Sequence, residues 1–410
     1  MIYDVIIAGA GPVGASLAVA LRDSGLKIAI IEPVVESSAQ QPSYDGRSLV
    51  LNHVSNRILE GIGLWSGLAG QYQTVEHIHV SRQGRFGVAR IHAGELQVAA
   101  LGYVVEAAAL GQALRSAVQQ SEDIDFFCPA RVSGLEYDSD HVRVALNAEH
   151  DGKPLCGRVL VAADGARSGV RTLLDIGIEQ TDYVQTAVVT TVSGVDSERA
   201  WAYERFTSSG PLALLPRVGG RFGVVWSVPS GSEDRILEMD DVAFVQHLHQ
   251  AFGSRAGTLR RPGRRASYPL KLQRAATSLA RRCVLLGNAS HAVHPVAGQG
   301  FNLGLRDVAW LAQTLVDARQ RNEDPGCRAV LHRYQNAREA DQRHTLRFTD
   351  TLIRVFCNED PMLASLGGLG LALTDIAIPM KRWLARGAMG YRGPASRLAR
   401  GTALLQSTAP

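Results

Sequence analysis

Three strings in this chain have the residue types and spacing to hold an anionic or electron-rich group. The longest runs from Arg282 to Asp307, RCVLLGNASHAVHPVAGQGFNLGLRD. Val284, Leu285 and Leu286 read as a buried strand that stops at Gly287. Asn288, Pro295, Gly298 and Gly300 follow, and helical spacing opens near Asn302, with Leu305, Val308, Leu311 and Leu315 on one face. A strand, a glycine-rich loop and a helix start present backbone N–H groups to a ligand. The second string is Gly9-Ala10-Gly11-Pro12-Val13-Gly14, a G-x-G-x-x-G. The third, Asp164-Gly165-Ala166-Arg167-Ser168-Gly169-Val170-Arg171, ends the apolar run Val159–Ala163. By itself it could equally be an Asx-type turn capping a helix.

The elements around the second string complete a βαβ unit. Val5–Ala8 reads as a strand, Leu17 and Leu21 continue a helix that ends at Ser24-Gly25, and Lys27–Ile31 leads to Glu32. In this context Gly9 permits the tight turn, Gly11 lets the backbone approach a pyrophosphate, and Gly14 lets helix pack on strand. Pro12 suits a first helical turn. Glu32 is placed for the ribose hydroxyls of an adenosine half and argues against a 2′-phosphate. NAD and FAD fit this unit equally. Arg47, in Asp45-Gly46-Arg47, has the forked donors that suit a pyrophosphate, although its residue type is usually a solvated charge.

Taken together and in this order, the three strings resemble the motifs of FAD-dependent aromatic hydroxylases. Gly287, His291, Pro295, Gly298, Gly300 and Asn302 match the family's GDxxHxxxPxxGxGxN, and Asn288 stands where most members have Asp. An amide oxygen can accept the same ribityl hydrogen bond without the charge. Asp164, Gly165, Ser168 and Arg171 resemble the family's DG fingerprint, and Arg47 its D-x-R segment. The Asn288 replacement, and Glu204-Arg205-Phe206 with Gly210–Pro216, resemble the branch that hydroxylates polyprenyl-methoxyphenols in ubiquinone biosynthesis. The resemblance implies bound FAD, NAD(P)H as a transient electron donor, and O2. It implies a flavin C4a-hydroperoxide that attacks a lipophilic, electron-rich phenol. It also implies cofactor contacts at Gly9, Gly11, Pro12, Gly14, Glu32, Arg47, Asp164, Gly165, Gly287, Asn288, Pro295, Gly298, Gly300 and Asn302. Leu212, Leu214 and Pro295 are the expected pocket wall. His294, beside the flavin loop, is the one candidate for a catalytic side chain.

The rest of the chain reads as support. Glu76–Ser81 and Phe86–Ile91 are expected strands, and Tyr103–Val118 a helix. From Thr186 to Val228 the period changes to two, giving successive strands of an antiparallel sheet. Arg255–Arg265 reads as a solvated basic loop. Val330–Phe356 reads as a helix with Leu331, Tyr334, Leu346 and Leu352 inward. The expected fold is α/β: a Rossmann-like FAD-binding domain in three parts (1–75, 101–180, 276–320), an inserted antiparallel-sheet substrate domain (76–100, 181–275) and a helical region (321–410).

Composition limits the function classes. A 46% hydrophobic and 20% charged chain of 410 residues buries a sizeable core, and a net charge of +4 is too small to argue for nucleic acid. Cys128, Cys156, Cys283, Cys327 and Cys357 are scattered without a CxxC, so a reduced, cytoplasmic protein without a metal site is expected. No stretch reaches a spanning length. The apolar Leu366–Ile378 segment leaves burial, a protein partner of ubiquinone biosynthesis and peripheral contact with the inner membrane open. Other readings also stay open: a same-fold FAD enzyme acting on a small phenol or reducing a prenyl chain, or a non-catalytic scaffold.

Overall fold

The computed structural model describes residues 1–35, 46–147, 153–195, 200–356, 375, 378–391 and 393–405. Asp45, Cys357 and the Leu366–Ile378 segment lie outside them, apart from Asp375 and the backbone of Ile378. The chain opens with β1 (Ile2–Ala8), α1 (Pro12–Leu21), β2 (Ile28–Ile31), β3 (Ser48–Asn52) and α2 (His53–Gly61). Next come β4 (Tyr72–Val75), β5 (His77–Arg82), β6 (Val88–His92), β7 (Gly102–Glu106) and α3 (Ala107–Gln119). Four strands, β8 (Ile124–Phe127), β9 (Val132–Tyr137), β10 (Val142–Leu146) and β11 (Leu155–Ala162), precede α4 (Gly169–Leu173). Then follow β12 (Ile178–Val195), β13 (Trp201–Phe206), β14 (Pro211–Arg217), β15 (Arg221–Pro229), α5 (Glu233–Leu237) and α6 (Asp241–Phe252). The last strands are β16 (Thr258–Arg260), β17 (Ala266–Ala275), β18 (Leu279–Ala280), β19 (Cys283–Leu285) and β20 (His291–Ala292). The helices α7 (Gln299–Gln320), α8 (Arg328–Phe356) and α9 (Ile378–Ala388) close the described chain.

The molecule is α/β, with two principal sheets. In the first, β19, β11, β1, β2 and β8 run parallel in that order, and β18, β10 and β9 extend it antiparallel. Its central strands are continuous aliphatic runs because both faces are covered. On one side Val5, Ile7, Val159 and Val284 meet Leu17, Leu21, Leu305, Val308 and Leu311 of α1 and α7. The second sheet has the order β20-β17-β12-β15-β14-β13-β5-β6, antiparallel except where β13 meets β5. A small sheet, β3-β7-β4, joins the two.

Strand alternation divides the second sheet into two unlike faces. One face carries Val188, Tyr203, Leu212, Leu214, Val224 and Trp226 against Phe244 and Leu248 of α6. Burying each of these large side chains stabilises the fold by about 1.5–3 kcal/mol. The other face turns toward the parallel sheet and carries Val189, Ala202, Glu204, Ala213, Leu215 and Val225.

Three local expectations change. Residues 103–106 are the end of β7, not the start of a helix. Tyr103, Val104 and Val105 favour a pleated strand and pair with both β3 and β4. α7 starts at Gln299 rather than near Asn302, since Gly298 at φ +60° turns the chain into the helix. Arg255–Arg265 is not wholly solvated: β16 pairs with β12, and Arg265 Nη2 donates to the Met239 carbonyl while its guanidinium lies over Phe244.

Candidate functional site

Between the two sheets lies a cavity of about 1750 Å³. Pockets for drug-sized ligands span about 300–1,000 Å³, so this space has room for more than one ligand. Its floor is made of residues of the three strings together with Glu32 and Arg47. Gly9, Gly11, Pro12, Glu32, Arg47, Asp164, Gly165, Asn288, Pro295, Gly298, Gly300 and Asn302 all line it. The topology brings them together: β1, β11 and β19 are parallel neighbours, so the turns at their C-terminal ends meet on one edge of the sheet.

The glycines leave room for backbone. A Cβ on Gly9 would lie 2.5 Å from the Ala163 carbonyl oxygen, and one on Gly14 would lie 2.0 Å from the Gly9 oxygen. Gly14 does not reach the cavity; it sets how closely α1 approaches β1. Gly287 is likewise behind the wall, with φ +57° and Val13 against its α-carbon side. Gly298 sits over Val50, with no room for a Cβ beside that side chain.

The polar groups of the floor are held in place. Glu32 accepts N–H bonds from Ala10 (2.8 Å) and Val34 (3.0 Å). Burial pushes its carboxyl up, against the pull of these two donors. Asp164 Oδ2 accepts the Val170 N–H at 3.1 Å, while Oδ1 is buried without a protein partner. Arg47 lies over the Tyr268 ring, 4.9 Å from its centroid. Asn302 is different. Its Oδ1 accepts the Asn52 N–H, and its Nδ2 donates to the carbonyls of Val50 and Gly298. Its side chain fastens the loop to β3.

FAD fits this floor. The close-packed turn at the start of α1 suits a pyrophosphate, and the unpaired Asp164 Oδ1 and the Asn288 amide at the loop suit ribityl hydroxyls.

Besides the expected cofactor contacts at Gly14 and Gly287, which do not reach the cavity, two further expectations about the site are corrected. Leu212 and Leu214 do not line the cavity. Both are fully buried on the α6 face, and the residues of β14 that reach the cavity are Ala213 and Leu215. The error is one residue of parity. His294 does not reach the cavity either. It is fully buried, its Nδ1 accepts the Val296 N–H at 3.1 Å, and its ring meets Tyr183 edge-on at 5.3 Å. Burial lowers its pKa to about 4, so it is a neutral residue that shapes the loop.

Behind the loop is a charge network that sequence reading missed. His291 Nε2 and Asp307 Oδ2 are 2.6 Å apart. Arg338 donates to Asp307 Oδ1 and Asp341 Oδ2, both at 2.6 Å, and Arg306 donates to Asp341 at 2.7 Å. Burial alone would raise the Asp307 carboxyl, but Arg338 and His291 hold it well below the carboxylate range. The network ties the loop through α7 to α8. Its signal was in the helical period. Leu331, Tyr334, Arg338, Asp341, Thr345 and Thr349 share one stripe of α8, and all are buried.

From the floor the cavity continues as an apolar arm. Ile78 and Ile91 of β5 and β6, with Leu101, face Leu384 and Ala385 of α9 and Met389 just after it. Phe348, Leu352 and Phe356 of α8 also line it. No helix among the described residues is long and apolar enough to cross a membrane.

A family model described as "FAD binding domain" matches residues 2–349. The ubiquinone hydroxylase UbiL of Rhodospirillum rubrum is 38% identical over 389 residues, covering 95% of this chain and 90% of that protein. The 3-demethoxyubiquinol 3-hydroxylase of Escherichia coli is 29% identical, covering 94% of this chain and 98% of its own. Among solved structures, the p-nitrophenol 4-monooxygenase PnpA of Pseudomonas putida aligns with a TM-score of 0.79 at 17% identity, covering 96% of this chain and 98% of that one. PqsL of Pseudomonas aeruginosa, titled a probable FAD-dependent monooxygenase, aligns at 0.75 and 22% identity, covering 90% and 100%. These two structural likenesses establish a common fold.

Proposed function

The chain belongs to the FAD-binding family of flavin-dependent aromatic hydroxylases, and from that premise we propose that it hydroxylates a polyprenylated methoxyphenol in ubiquinone biosynthesis. When bound, FAD supplies the redox chemistry: reduced by NAD(P)H, it activates O2 for transfer of one oxygen atom to an electron-rich ring. The protein's own residues bind, orient and exclude water. Gly9, Gly11 and Pro12 cradle the pyrophosphate, and Arg47 reaches it. Glu32 takes the adenosine ribose, and Asp164 and Asn288 take the ribityl chain. Pro295, Gly298 and Gly300 would belong to the loop that holds the flavin, and Asn302 fastens that loop. Segments 1–75, 101–180 and 276–320 act as the FAD-binding body, and 76–100 with 181–275 as the substrate cover.

The observation that carries this reading is the shape of the cavity. One space joins a dinucleotide floor, an aliphatic roof for an aromatic ring, and an apolar arm between β5, β6 and α9 that suits a prenyl tail. A lipophilic substrate of this kind resides in membrane, so peripheral contact there accompanies the reading. The test is turnover. Purified protein should oxidise NAD(P)H faster with a 2-polyprenyl-6-methoxyphenol than with the same phenol lacking its tail, and mass spectrometry should find product heavier by one oxygen. Equal rates for both phenols would instead indicate a small soluble substrate.

A further inference from the structure

Beyond the cavity, the α6 face of the second sheet gathers cations around a buried histidine. In the row across β13, β5 and β6, Tyr203 pairs with His79 and His79 with Arg90. Residues paired in this way hold their Cβ atoms about 4.5–5.5 Å apart on one face. His79 alternates with Ile78 and Val80, which line the cavity, and so points to the opposite face. Its ring meets Tyr203 with centroids 5.9 Å apart. Arg205 lies two residues beyond Tyr203 and shares this face. Phe252, at the end of α6, meets the Tyr203 ring edge-on at 5.6 Å, and Arg255 follows three residues later.

The cluster offers more polar atoms than the chain satisfies. His79 is only 3% exposed, and its Nε2 is buried without a protein partner. The Nε of half-buried Arg205 is in the same condition. Arg90 and Arg255 are exposed. Among the described residues no carboxylate forms an ion pair with Arg90, Arg205 or Arg255; Asp375 accepts the Arg90 backbone N–H at 2.7 Å instead. Burial, then Arg255, lowers the Arg205 guanidinium, and burial, then Arg255, Arg90 and Arg205, lowers His79 to about 4. The ring is therefore neutral at pH 7 among three guanidinium groups. Gathering like charges costs stability, and a bound anion offsets that cost.

We propose that His79, Arg90, Arg205 and Arg255 form a binding site for a phosphate group. Guanidinium forks match phosphate oxygens in bidentate pairs. The His79 Nε2 adds one contact, donating to a phosphate oxygen or accepting from a phosphate hydroxyl. The sheet separates this site from the cavity floor. Two sources present the group: a free phosphate or phosphoester, and the headgroup of an anionic phospholipid. The inner faces of β5 and β6 carry Ile78 and Ile91 of the apolar arm, and Trp383 lines the cavity while 65% exposed. A headgroup held at Arg90 therefore lies on the strand that walls the arm.

The test uses the full chain with its FAD. It compares wild type, Arg90→Gln with Arg255→Gln, His79→Phe, and Arg321→Gln with Arg328→Gln. The last pair removes two exposed charges at the turn between α7 and α8. Melting curves and FAD-to-protein ratios show which variants are folded. Inorganic phosphate is titrated by calorimetry at an ionic strength held constant with chloride. Flotation is measured separately with phosphatidylglycerol and phosphatidylcholine vesicles. Wild type should bind phosphate saturably, which identifies a free ligand, or float with phosphatidylglycerol in preference to phosphatidylcholine, which identifies a headgroup. Loss of Arg90 and Arg255 should weaken that binding by about 10- to 100-fold, the factor a hydrogen bond to a charged group is worth. His79→Phe, which keeps a ring and the net charge, should weaken it by about 10-fold, and the turn variant should bind as wild type does. Neither phosphate binding nor a phosphatidylglycerol preference in wild type overturns the site. Equal loss in the two double variants overturns it as well, because diffuse charge then accounts for the binding.

Discussion

The floor and the roof of the cavity are built on opposite terms. The floor is a backbone surface. Its turns approach so closely that a methyl group on Gly9 or Gly14 would overlap a carbonyl oxygen. Residue type is therefore dictated position by position. The roof is a side-chain surface, where many aliphatic residues would serve and the strand's parity decides what a ligand meets. Neighbouring residues of β14 show the contrast. Leu214 is core beneath α6, while Ala213 faces the cavity. A floor residue is constrained by what it must lack, and a roof residue by which way it points.

The largest effect should come from the floor. Gly14→Val places two further carbons beyond a Cβ already 2.0 Å from the Gly9 oxygen. Such overpacking forces the turn and α1 apart. The purified variant should be colourless, and a yellow protein with a full complement of FAD would contradict the floor as described.

The roof should split in two. Leu214→Ala removes a fully buried side chain and should cost about 2–5 kcal/mol of stability. Its KM for substrate should stay near wild type. Ala213→Leu should do the reverse, raising KM while the melting temperature barely moves. Thermal melts and steady-state kinetics on both variants check this, and an exchange of the two outcomes would show the parity assignment to be wrong.

A smaller effect is expected at Asn288. Asn288→Leu removes the amide acceptor and should weaken FAD binding by about 1–3 kcal/mol, whereas Asn288→Asp should keep it. Fluorescence titration of the apoprotein with FAD reads both, and equal affinity in wild type and the Leu variant would remove Asn288 from the site.

The smallest effect is a pH slope. His294 is held near pKa 4 by burial, against about 6.5 for the unfolded chain. Between these values the unfolded chain binds a proton that the folded one refuses, so stability is full above about pH 6.5 and declines toward pH 4. His79 is lowered to about 4 as well, by burial and then by Arg255 and Arg90, so it contributes in the same sense. His294→Asn should flatten the melting-temperature profile in this window in part. An unchanged slope would mean that His294 is protonated in the folded protein.

The difference between floor and roof also explains what could be read from the residues. The strings at Gly9, Asp164 and Gly287 were legible because close backbone approach leaves few alternatives, and twelve of the positions that they, Glu32 and Arg47 supplied line one cavity. The α/β architecture was legible for the same reason: continuous aliphatic runs mark covered parallel strands, and alternation marks the second sheet. Leu212 and Leu214 were misplaced because alternation tells which residues share a face but not which face turns inward. Residues 103–106 read as helix in the sequence because Tyr103–Val105 has no breaker before Ala107. The Arg338–Asp341 pair escaped because charges on a helix are read as solvated, although the period set them in line with Leu331 and Tyr334. His294 looked reactive by type and place, and only its burial and its bond to Val296 show that it shapes the loop.

The measurement closest to the central claim follows the oxygen. The purified protein, NAD(P)H and a short-tailed 2-prenyl-6-methoxyphenol are incubated under ¹⁸O₂ in ordinary water, and the product is analysed by mass spectrometry. A flavin-dependent aromatic monooxygenase must place one labelled atom in the product ring and the other in water. A hydroxylated product that instead carries unlabelled oxygen from solvent would contradict the account.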